Sequence, residues 1–297
     1  MSLVPMRELL ADAVKRGYAV GYFEAWDLYS LEAVKEAAEE TDSPVILGFG
    51  GVTMNQEWLG NGGLRALAAM GHVIAENAKV PASYLLNEVL EFDHIEQGLE
   101  AGFNAVMFDT SHMPVLENIA WTRKVVDAAS RLGADVEGES DPLPDASGTM
   151  GGHAGNKLTD PEEAAKYVAE TGVCALSIAV GNEHIKTEGE SSTDFELLGR
   201  IRDAVPVPLV IHGGTGFPDG DVRRAIELGV AKFNVGSVMK RLYLESARDT
   251  MLSLPTKPNF QELVGSRKPG DFLEIAKNRV KNEVKRRLAV YSSTGKA

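Results

Sequence analysis

The chain has 297 residues, 44% hydrophobic and 25% charged, a composition typical of a globular protein with a sizeable core and not of a disordered chain. Asp and Glu number 43 against 30 Lys and Arg, and the formal charge of -13 opposes binding to nucleic acid or an anionic membrane surface. The single cysteine excludes an intrachain disulfide, and no apolar stretch approaches the ~20 residues that span a bilayer. We therefore expect a cytoplasmic protein with neither nucleic acid nor membrane as a partner.

Short apolar runs rich in β-formers alternate along the chain with segments of helical periodicity. The runs predict eight strands, at residues 18–24, 44–49, 82–87, 105–109, 135–139, 175–180, 209–212 and 232–235. The periodic segments predict helices at residues 30–41, 64–77, 91–101, 115–132, 160–171, 194–205 and 219–228. Regular strand–helix alternation requires parallel strands, and eight repeats close a barrel. The sequence thus predicts an α/β protein with the (β/α)8 TIM barrel fold.

An open doubly wound sheet is the alternative to a barrel. That fold predicts a Gly-rich dinucleotide turn after the first strand, but residues 21–27 read Gly-Tyr-Phe-Glu-Ala-Trp-Asp. No linker or low-complexity tract interrupts the sequence, so we expect residues 1–297 to form a single domain. Residues 271–289 form a charged amphipathic helix in this prediction, which either closes the barrel or makes the C-terminal segment, residues 271–297, an oligomerisation arm. We expect a homodimer or homotetramer.

Polar side chains gather at the predicted carboxyl ends of the strands, where barrel enzymes place their active sites. One such side chain is explained by a helix cap, but a ring of carboxylates and imidazoles indicates a metal and acid–base centre. The ring comprises Glu24, Asn87, Glu88, Asp109, Ser111, His112, Glu137, Glu139, His184, His212 and Asn234. Two imidazoles and a carboxylate around an open position are a common catalytic zinc arrangement. The pattern leaves open whether Asp135 and Glu137 are surface or site residues.

The loops after the last two predicted strands are rich in small residues. They read Gly213-Gly214-Thr215-Gly216 and Asn234-Val235-Gly236-Ser237. Small residues let backbone N–H groups approach an anion, and these two loops frequently build the phosphate site of (β/α)8 enzymes. The sequence therefore predicts that a substrate phosphate binds at Gly213, Gly214, Thr215, Asn234, Gly236 and Ser237.

The residues so far described resemble one known family, the class II fructose- and tagatose-bisphosphate aldolases. The resemblance covers nearly the whole chain in order. Its motifs include Val106-Met107-Phe108-Asp109 with Ser111-His112, Val136-Glu137-Gly138-Glu139, Leu209-Val210-Ile211-His212-Gly213-Gly214-Thr215-Gly216, Lys232-Phe233-Asn234-Val235-Gly236 and Ser293-Thr294-Gly295-Lys296-Ala297. It implies a metal-dependent lyase that reversibly cleaves a ketose bisphosphate, giving dihydroxyacetone phosphate and an aldehyde.

Such aldolases hold a zinc ion with three histidines, and two of these positions match His184 and His212. Where the family reads His-Leu-Asp-His-Gly, this chain reads Leu85-Leu86-Asn87-Glu88-Val89. The resemblance therefore implies one divalent metal ion, with zinc preferred, on Glu88, His184 and His212. Glu139 is an alternative ligand. The loop at residues 141–157 carries Asp141, Asp145 and His153 where the family has an adjacent acidic pair.

The catalytic aspartate of the family is Asn87 here, and an amide cannot exchange the proton of the substrate hydroxyl. We place the catalytic residues at Glu24, Asn87 and Glu139. Either Glu24 or Glu88 carries the proton, and we prefer Glu24 as the carrier with Glu88 as the ligand. Two further functions remain open at this point. One is a metal-dependent epimerase or isomerase of a ketose or ketose phosphate, which needs the same enediolate but no carbon–carbon cleavage. The other is a non-catalytic sugar-phosphate-binding homologue.

Overall fold

The computed structural model describes residues 2–144, 157–184, 186 and 189–297. Eight parallel strands close into a barrel in sequence order, with β1 paired to both β2 and β8. The strands are β1 (Val20–Ala25), β2 (Val45–Gly50), β3 (Ala82–Val89), β4 (Ala105–Phe108), β5 (Asp135–Glu139), β6 (Ala175–Ser177), β7 (Leu209–Ile211) and β8 (Val230–Val235). The predicted (β/α)8 TIM barrel is confirmed.

Helices connect the strands and surround the barrel. They are α1 (Met6–Arg16), α2 (Leu28–Glu40), α3 (Gln56–Trp58), α4 (Leu64–Glu76), α5 (Phe92–Glu100), α6 (Val115–Arg131), α7 (Pro161–Thr171), α8 (Phe195–Ala204), α9 (Asp219–Glu227), α10 (Ser237–Leu252), α11 (Phe260–Leu263) and α12 (Phe272–Val290). A 3-10 turn at Gly51–Thr53 and a π turn at Leu59–Gly63 complete the β2 to β3 connection. No helix in the described ranges is both long and apolar enough to cross a membrane.

The predicted elements coincide with observed ones, and the differences lie at their ends. The predicted strand at residues 175–180 stops at Ser177 because side chains take over the next backbone donors. The Ala179 N–H donates to Thr159 Oγ1 and the Val180 N–H to Asn182 Oδ1, each over 2.9 Å. Helices α1, α3, α10 and α11 were not predicted from the sequence.

Helix α1 fills the end of the barrel that is opposite the predicted site. Its buried side chains form one apolar cluster with residues near the strand starts. The cluster includes Met6, Leu9, Leu10 and Ala13 of α1 and Val20, Ile46, Ala105, Ala175 and Ala231 of the strands. At this same end, Arg7 binds the buried carboxylate of Asp135 through Nε at 2.8 Å. Asp135 is therefore a structural residue at the end of the barrel that α1 fills. Among the described residues, α1 covers this end, so a ligand can enter the barrel only at the carboxyl ends of the strands.

Helix α12 packs on α2 and α10 and so takes its place in the outer ring. Lysine side chains of α12 pair with carboxylates of α2, for example Lys277 with Glu36 at 2.8 Å. At its C-terminal end, the ring of Tyr291 stacks on Phe233 of β8 with centroids 4.7 Å apart. The helix thus packs on its own barrel. Its contact with a second subunit stays a prediction, as does the assignment of residues 1–297 to one domain.

Helix α4 sits close to β3 because it carries Gly71 at the contact. A Cβ atom at position 71 would lie 2.1 Å from the hydroxyl of Tyr84. That hydroxyl donates to the Leu67 carbonyl over 2.8 Å, and the Tyr84 ring stacks on Phe103 at 4.2 Å between centroids. The buried phenol of Tyr84 is therefore fixed on two sides and cannot easily move aside for a larger residue at position 71.

We expect Gly71→Ala to lower the free energy of unfolding by about 1–3 kcal/mol, the usual range for overpacking a core contact. Gly220→Ala is the matched control, because a Cβ at that position of α9 meets nothing within 4 Å. It should be neutral or stabilise by up to about 1 kcal/mol, since alanine has the higher helix propensity. Urea midpoints of the two variants measure the difference; equal shifts would contradict the packing described for Gly71.

Candidate active site

A cavity of about 510 Å³ opens at the carboxyl ends of the strands. Its wall contains predicted site residues from several elements. Glu24 comes from β1, Asn87 and Glu88 from β3, and His184 and His212 from the segments after β6 and β7. Parallel strand ends meet at one rim of a barrel, so residues far apart in sequence converge there.

Three of these side chains bring donor atoms close enough together to hold one metal ion. Glu88 Oε1 lies 3.4 Å from His184 Nε2 and 3.4 Å from His212 Nδ1, and the two ring nitrogens are 3.2 Å apart. Zinc bonds of 2.0–2.1 Å in a tetrahedral site place neighbouring ligand atoms about 3.3 Å apart. The separations therefore fit a small tetrahedral cation. The predicted trio Glu88, His184 and His212 is the group that the structure brings together.

An irregularity in β3 directs Glu88 into the site. The register between β3 and β4 shifts between Leu86 and Val89, and Glu88 has a φ of 49°. A left-handed residue at a strand irregularity turns its side chain away from the regular alternation. The second oxygen of this carboxylate, Oε2, accepts a hydrogen bond from Asn87 Nδ2 over 2.7 Å. Asn87 thus orients Glu88 in addition to lining the cavity.

His212 is held from behind by a buried ion pair. Its Nε2 lies 2.8 Å from Glu137 Oε1, and Glu137 Oε2 lies 2.6 Å from Lys232 Nζ. A carboxylate on the far nitrogen fixes the ring orientation and leaves Nδ1 toward the site, as for metal-bound histidines in general. Glu137, which the sequence left undecided between surface and site, is fully buried beneath the cavity.

Charge coupling dominates the ionisation of this cluster. Burial favours the neutral form of His212, but hydrogen bonds to Glu137 and Glu88 outweigh it and raise the His212 pKa to about 10. Burial likewise opposes ionisation of Glu88, but His184 and His212 lower its pKa to about 2. Opposite charges therefore outweigh the effect of burial on the pKa of both groups.

Glu139 stands apart from the three clustered donors. It is buried, accepts a hydrogen bond from Ser177 Oγ over 2.8 Å, and is not among the residues that line the cavity. Burial raises the pKa of Glu139 to about 8, against the opposing attraction of His212. Its predicted roles, in catalysis and as an alternative ligand, stay predictions.

Glu24 also lines the cavity, beside the loop after β8. Its Oε1 lies 2.5 Å from Lys240 Nζ and accepts a hydrogen bond from Thr53 Oγ1 over 3.0 Å. Its Oε2 lies so near Gly236 that a Cβ there would be 2.2 Å away. A side chain at position 236 would therefore require the Glu24 carboxylate to move.

The two small-residue loops lie side by side at the rim. The Gly214 N–H donates to the Asn234 carbonyl over 2.8 Å, which ties the loop after β7 to β8. Gly214 does not line the cavity, whereas the other five predicted phosphate-binding residues do: Gly213, Thr215, Asn234, Gly236 and Ser237. Helix α10 begins at Ser237 beside this rim, where its Val238 N–H donates to Thr215 Oγ1 over 3.3 Å. Backbone donors and a helix N-terminus make the rim suitable for an anion.

The structure adds residues that the sequence analysis did not single out. Tyr22 and Lys240 line the cavity, and the Tyr22 hydroxyl and the Asn234 amide are buried without a hydrogen-bond partner in the described chain. Strand alternation is the signal that could have found Tyr22 and also Lys232, the partner of Glu137. Tyr22 precedes Glu24 by two residues, and Lys232 precedes Asn234 by two. Of the predicted loop residues, Asp141 pairs with Lys157 at 2.7 Å. Asp145 and His153 lie outside the described residues.

Comparison with known proteins agrees with this site. The family model for fructose-bisphosphate aldolase class-II matches residues 4–296. A probable fructose-bisphosphate aldolase of Bacillus subtilis is 34% identical over the full length of both chains, and a fructose-bisphosphate aldolase of Staphylococcus aureus is 32% identical over the same extent. The crystal structure of the YdjI aldolase from Escherichia coli K12 superposes with a TM-score of 0.82 at 30% identity over 99% of each chain. A putative fructose-1,6-biphosphate aldolase from Coccidioides immitis gives 0.84 at 27% identity over 98% of this chain and 97% of that one.

The strand-end cavity and its ligand trio thus belong to a chain that matches this family from residue 4 to residue 296. The barrel, the site and the relatives point in one direction. The chain belongs to the class II fructose-bisphosphate aldolase family, whose members are metal-dependent lyases.

Proposed function

We propose that this protein catalyses the reversible, metal-dependent aldol cleavage of a ketose phosphate or bisphosphate into dihydroxyacetone phosphate and an aldehyde. The observation that carries the proposal is the convergence of the donor atoms of Glu88, His184 and His212 within 4.8 Å of one another, beside a cavity rimmed by backbone donors. Family membership supports the reaction class. The substrate itself is part of the proposal.

The proposed metal is one zinc ion on Glu88, His184 and His212. Two imidazole nitrogens and one carboxylate oxygen are a common zinc donor set that leaves a fourth position open for substrate. When bound, zinc supplies Lewis acidity that polarises the substrate carbonyl and stabilises the resulting enediolate. The role of the chain is to hold the three donors: Asn87 orients Glu88, and Glu137 orients His212.

Cleavage requires a base that accepts the proton of the substrate hydroxyl beside the breaking bond. Asn87 lies in the cavity wall, but its amide is no base. We assign this step to Glu24, a carboxylate in the same wall that Lys240 and Thr53 hold in place. Burial raises the pKa of Glu139, so we propose this residue as an alternative proton donor.

The substrate phosphate is proposed to bind at Gly213 to Gly216 and Asn234 to Ser237. Local backbone dipoles outweigh the chain's formal charge of -13 at contact distance, because the net charge is spread over the whole surface. Lys240 lies in the first turn of α10 and neutralises Glu24, so the phosphate does not meet a bare carboxylate.

The reaction is tested by incubating the zinc-loaded protein with a panel of ketose mono- and bisphosphates. We expect release of dihydroxyacetone phosphate, measured by enzymatic reduction coupled to loss of a nicotinamide absorbance. Interconversion of two ketoses without a three-carbon product would instead identify an epimerase or isomerase. Binding of sugar phosphates without any turnover would identify a non-catalytic homologue.

We expect His212→Ala to lose the metal, since one of three protein ligands is removed. His72→Ala is the matched control, because His72 lies on α4 and pairs with Glu76 at the surface. Metal content after dialysis, measured by elemental analysis, compares both variants with the unmodified protein. Full occupancy in His212→Ala would show that the ion lies elsewhere.

We expect Glu24→Gln to keep its zinc and to lower kcat by roughly 10²-fold or more, the usual size of a general acid–base contribution. The substitution preserves the shape of the side chain and removes its basicity together with the negative charge that pairs with Lys240. Steady-state kinetics and metal content should be measured on the same preparation. Turnover near that of the unmodified protein rejects Glu24 as the proton carrier, and loss of the metal makes it a ligand.

A further inference from the structure

We propose that Arg287 on α12 is a positioning residue, which holds the loop after β7 in the conformation that binds phosphate. The inference rests on the proposed phosphate site. It gives the C-terminal helix a part in substrate affinity, although that helix lies outside the barrel and Arg287 is not among the residues that line the active-site cavity.

The side chain of Arg287 donates hydrogen bonds to two successive backbone carbonyls of this loop. Nη1 donates to the Gly214 carbonyl over 2.9 Å and Nη2 to the Thr215 carbonyl over 3.3 Å. The third nitrogen, Nε, donates to Glu283 Oε1 over 2.8 Å, and the residue is 5% exposed. A guanidinium has its donors in a rigid fork, so binding two neighbouring carbonyls fixes the orientation of both peptide groups.

The orientation of these carbonyls determines where the next N–H group points. In a planar trans peptide the C=O and the following N–H face opposite directions. Because the Gly214 carbonyl faces Arg287, the Thr215 N–H faces away from Arg287, and Thr215 is one of the residues that line the active-site cavity. Within the described ranges, no backbone carbonyl accepts a hydrogen bond from this N–H. It is therefore available to a phosphate oxygen.

The remaining contacts of the loop do not replace this constraint. The Gly214 N–H is tied to the Asn234 carbonyl, and the Gly216 carbonyl accepts from the N–H and the hydroxyl of Ser191 at 2.9 and 3.1 Å. These bonds hold the two ends of the turn. The Gly216 N–H also donates to the Gly213 carbonyl over 3.0 Å and closes the turn. At the centre of this turn, Arg287 binds the carbonyl of the Gly214–Thr215 peptide, whose orientation the neighbouring glycines would otherwise leave variable. Removal of Arg287 also leaves two carbonyls without their partner.

Arg286 provides a matched control on the same helix. It has the same charge and binds the same carboxylate, Glu283, at 2.9 Å, and it also pairs with Asp219. Arg286 donates hydrogen bonds to these two carboxylates, and its side chain is 44% exposed. Arg286→Gln therefore removes one positive charge from the helix without removing a hydrogen bond to the loop.

The test compares Arg287→Gln, Arg287→Lys and Arg286→Gln in the zinc-loaded, full-length protein. Inorganic phosphate is the probe, titrated by calorimetry, and KM and kcat are measured with a phosphorylated ketose that the protein cleaves. We expect Arg287→Gln to weaken phosphate binding and to raise KM by about tenfold, the size of one lost hydrogen bond to a charged group, with a smaller change in kcat. Arg287→Lys should fall between, and Arg286→Gln should stay within about twofold of the unmodified protein, an equilibrium change well below 1 kcal/mol.

Unchanged phosphate affinity in Arg287→Gln, or equal losses in Arg287→Gln and Arg286→Gln, would overturn the role of Arg287. Circular dichroism and metal content establish that each variant is folded and loaded. If Arg287→Gln fails to fold, Arg287→Lys decides, because phosphate affinity like that of the unmodified protein would then contradict the positioning role. Failure of the unmodified protein itself to bind phosphate is a different result, which removes the proposed phosphate site and this inference with it.

Discussion

A buried line of alternating charges organises the open end of this barrel. Lys232, Glu137, His212 and Glu88 follow one another with contacts of 2.6, 2.8 and 3.4 Å. Each charge would be strongly unfavourable alone in the barrel interior, and each is stabilised by the next. Burial lowers the pKa of Lys232, while that same lysine and His212 lower the pKa of Glu137 against burial. The positions of the donor atoms of His212 and Glu88 therefore depend on Lys232, which lies beneath them and binds Glu137.

The barrel makes this line possible because its strands alternate inward and outward residues. On β8, Lys232 and Asn234 both face the interior, and on β5 Glu137 and Glu139 do the same. Helix α1 closes the other end with apolar side chains, so the charged layers lie between a dry plug and an open rim. This gradient from apolar to polar along the barrel axis gives the side chains a low-dielectric base and substrate a hydrated entrance.

Much of this arrangement could be predicted from the sequence, for a physical reason. Parallel strands with crossover helices bring strand ends to one rim, so Glu88, His184 and His212 were expected to meet although 124 residues separate the first from the last. The Glu24 to Lys240 pair and the Arg287 contacts were not predicted, since they join residues 216 and 73 positions apart through side-chain reach alone. The left-handed backbone of Glu88 also has no signal in local sequence, because tertiary contacts impose it.

The hydrogen bond between Asn87 and Glu88 couples two positions that a sequence comparison treats as separate. An aspartate at position 87 would bring a second carboxylate to within about 2.7 Å of Glu88 Oε2, and two like charges so close cannot both stay ionised. The amide avoids the repulsion and donates instead. The two departures from the family's Asp-His pair are therefore one epistatic unit. If the two substitutions arose one at a time, asparagine at position 87 beside histidine at position 88 avoids repulsion between two carboxylates. Aspartate at position 87 beside glutamate at position 88 does not avoid it.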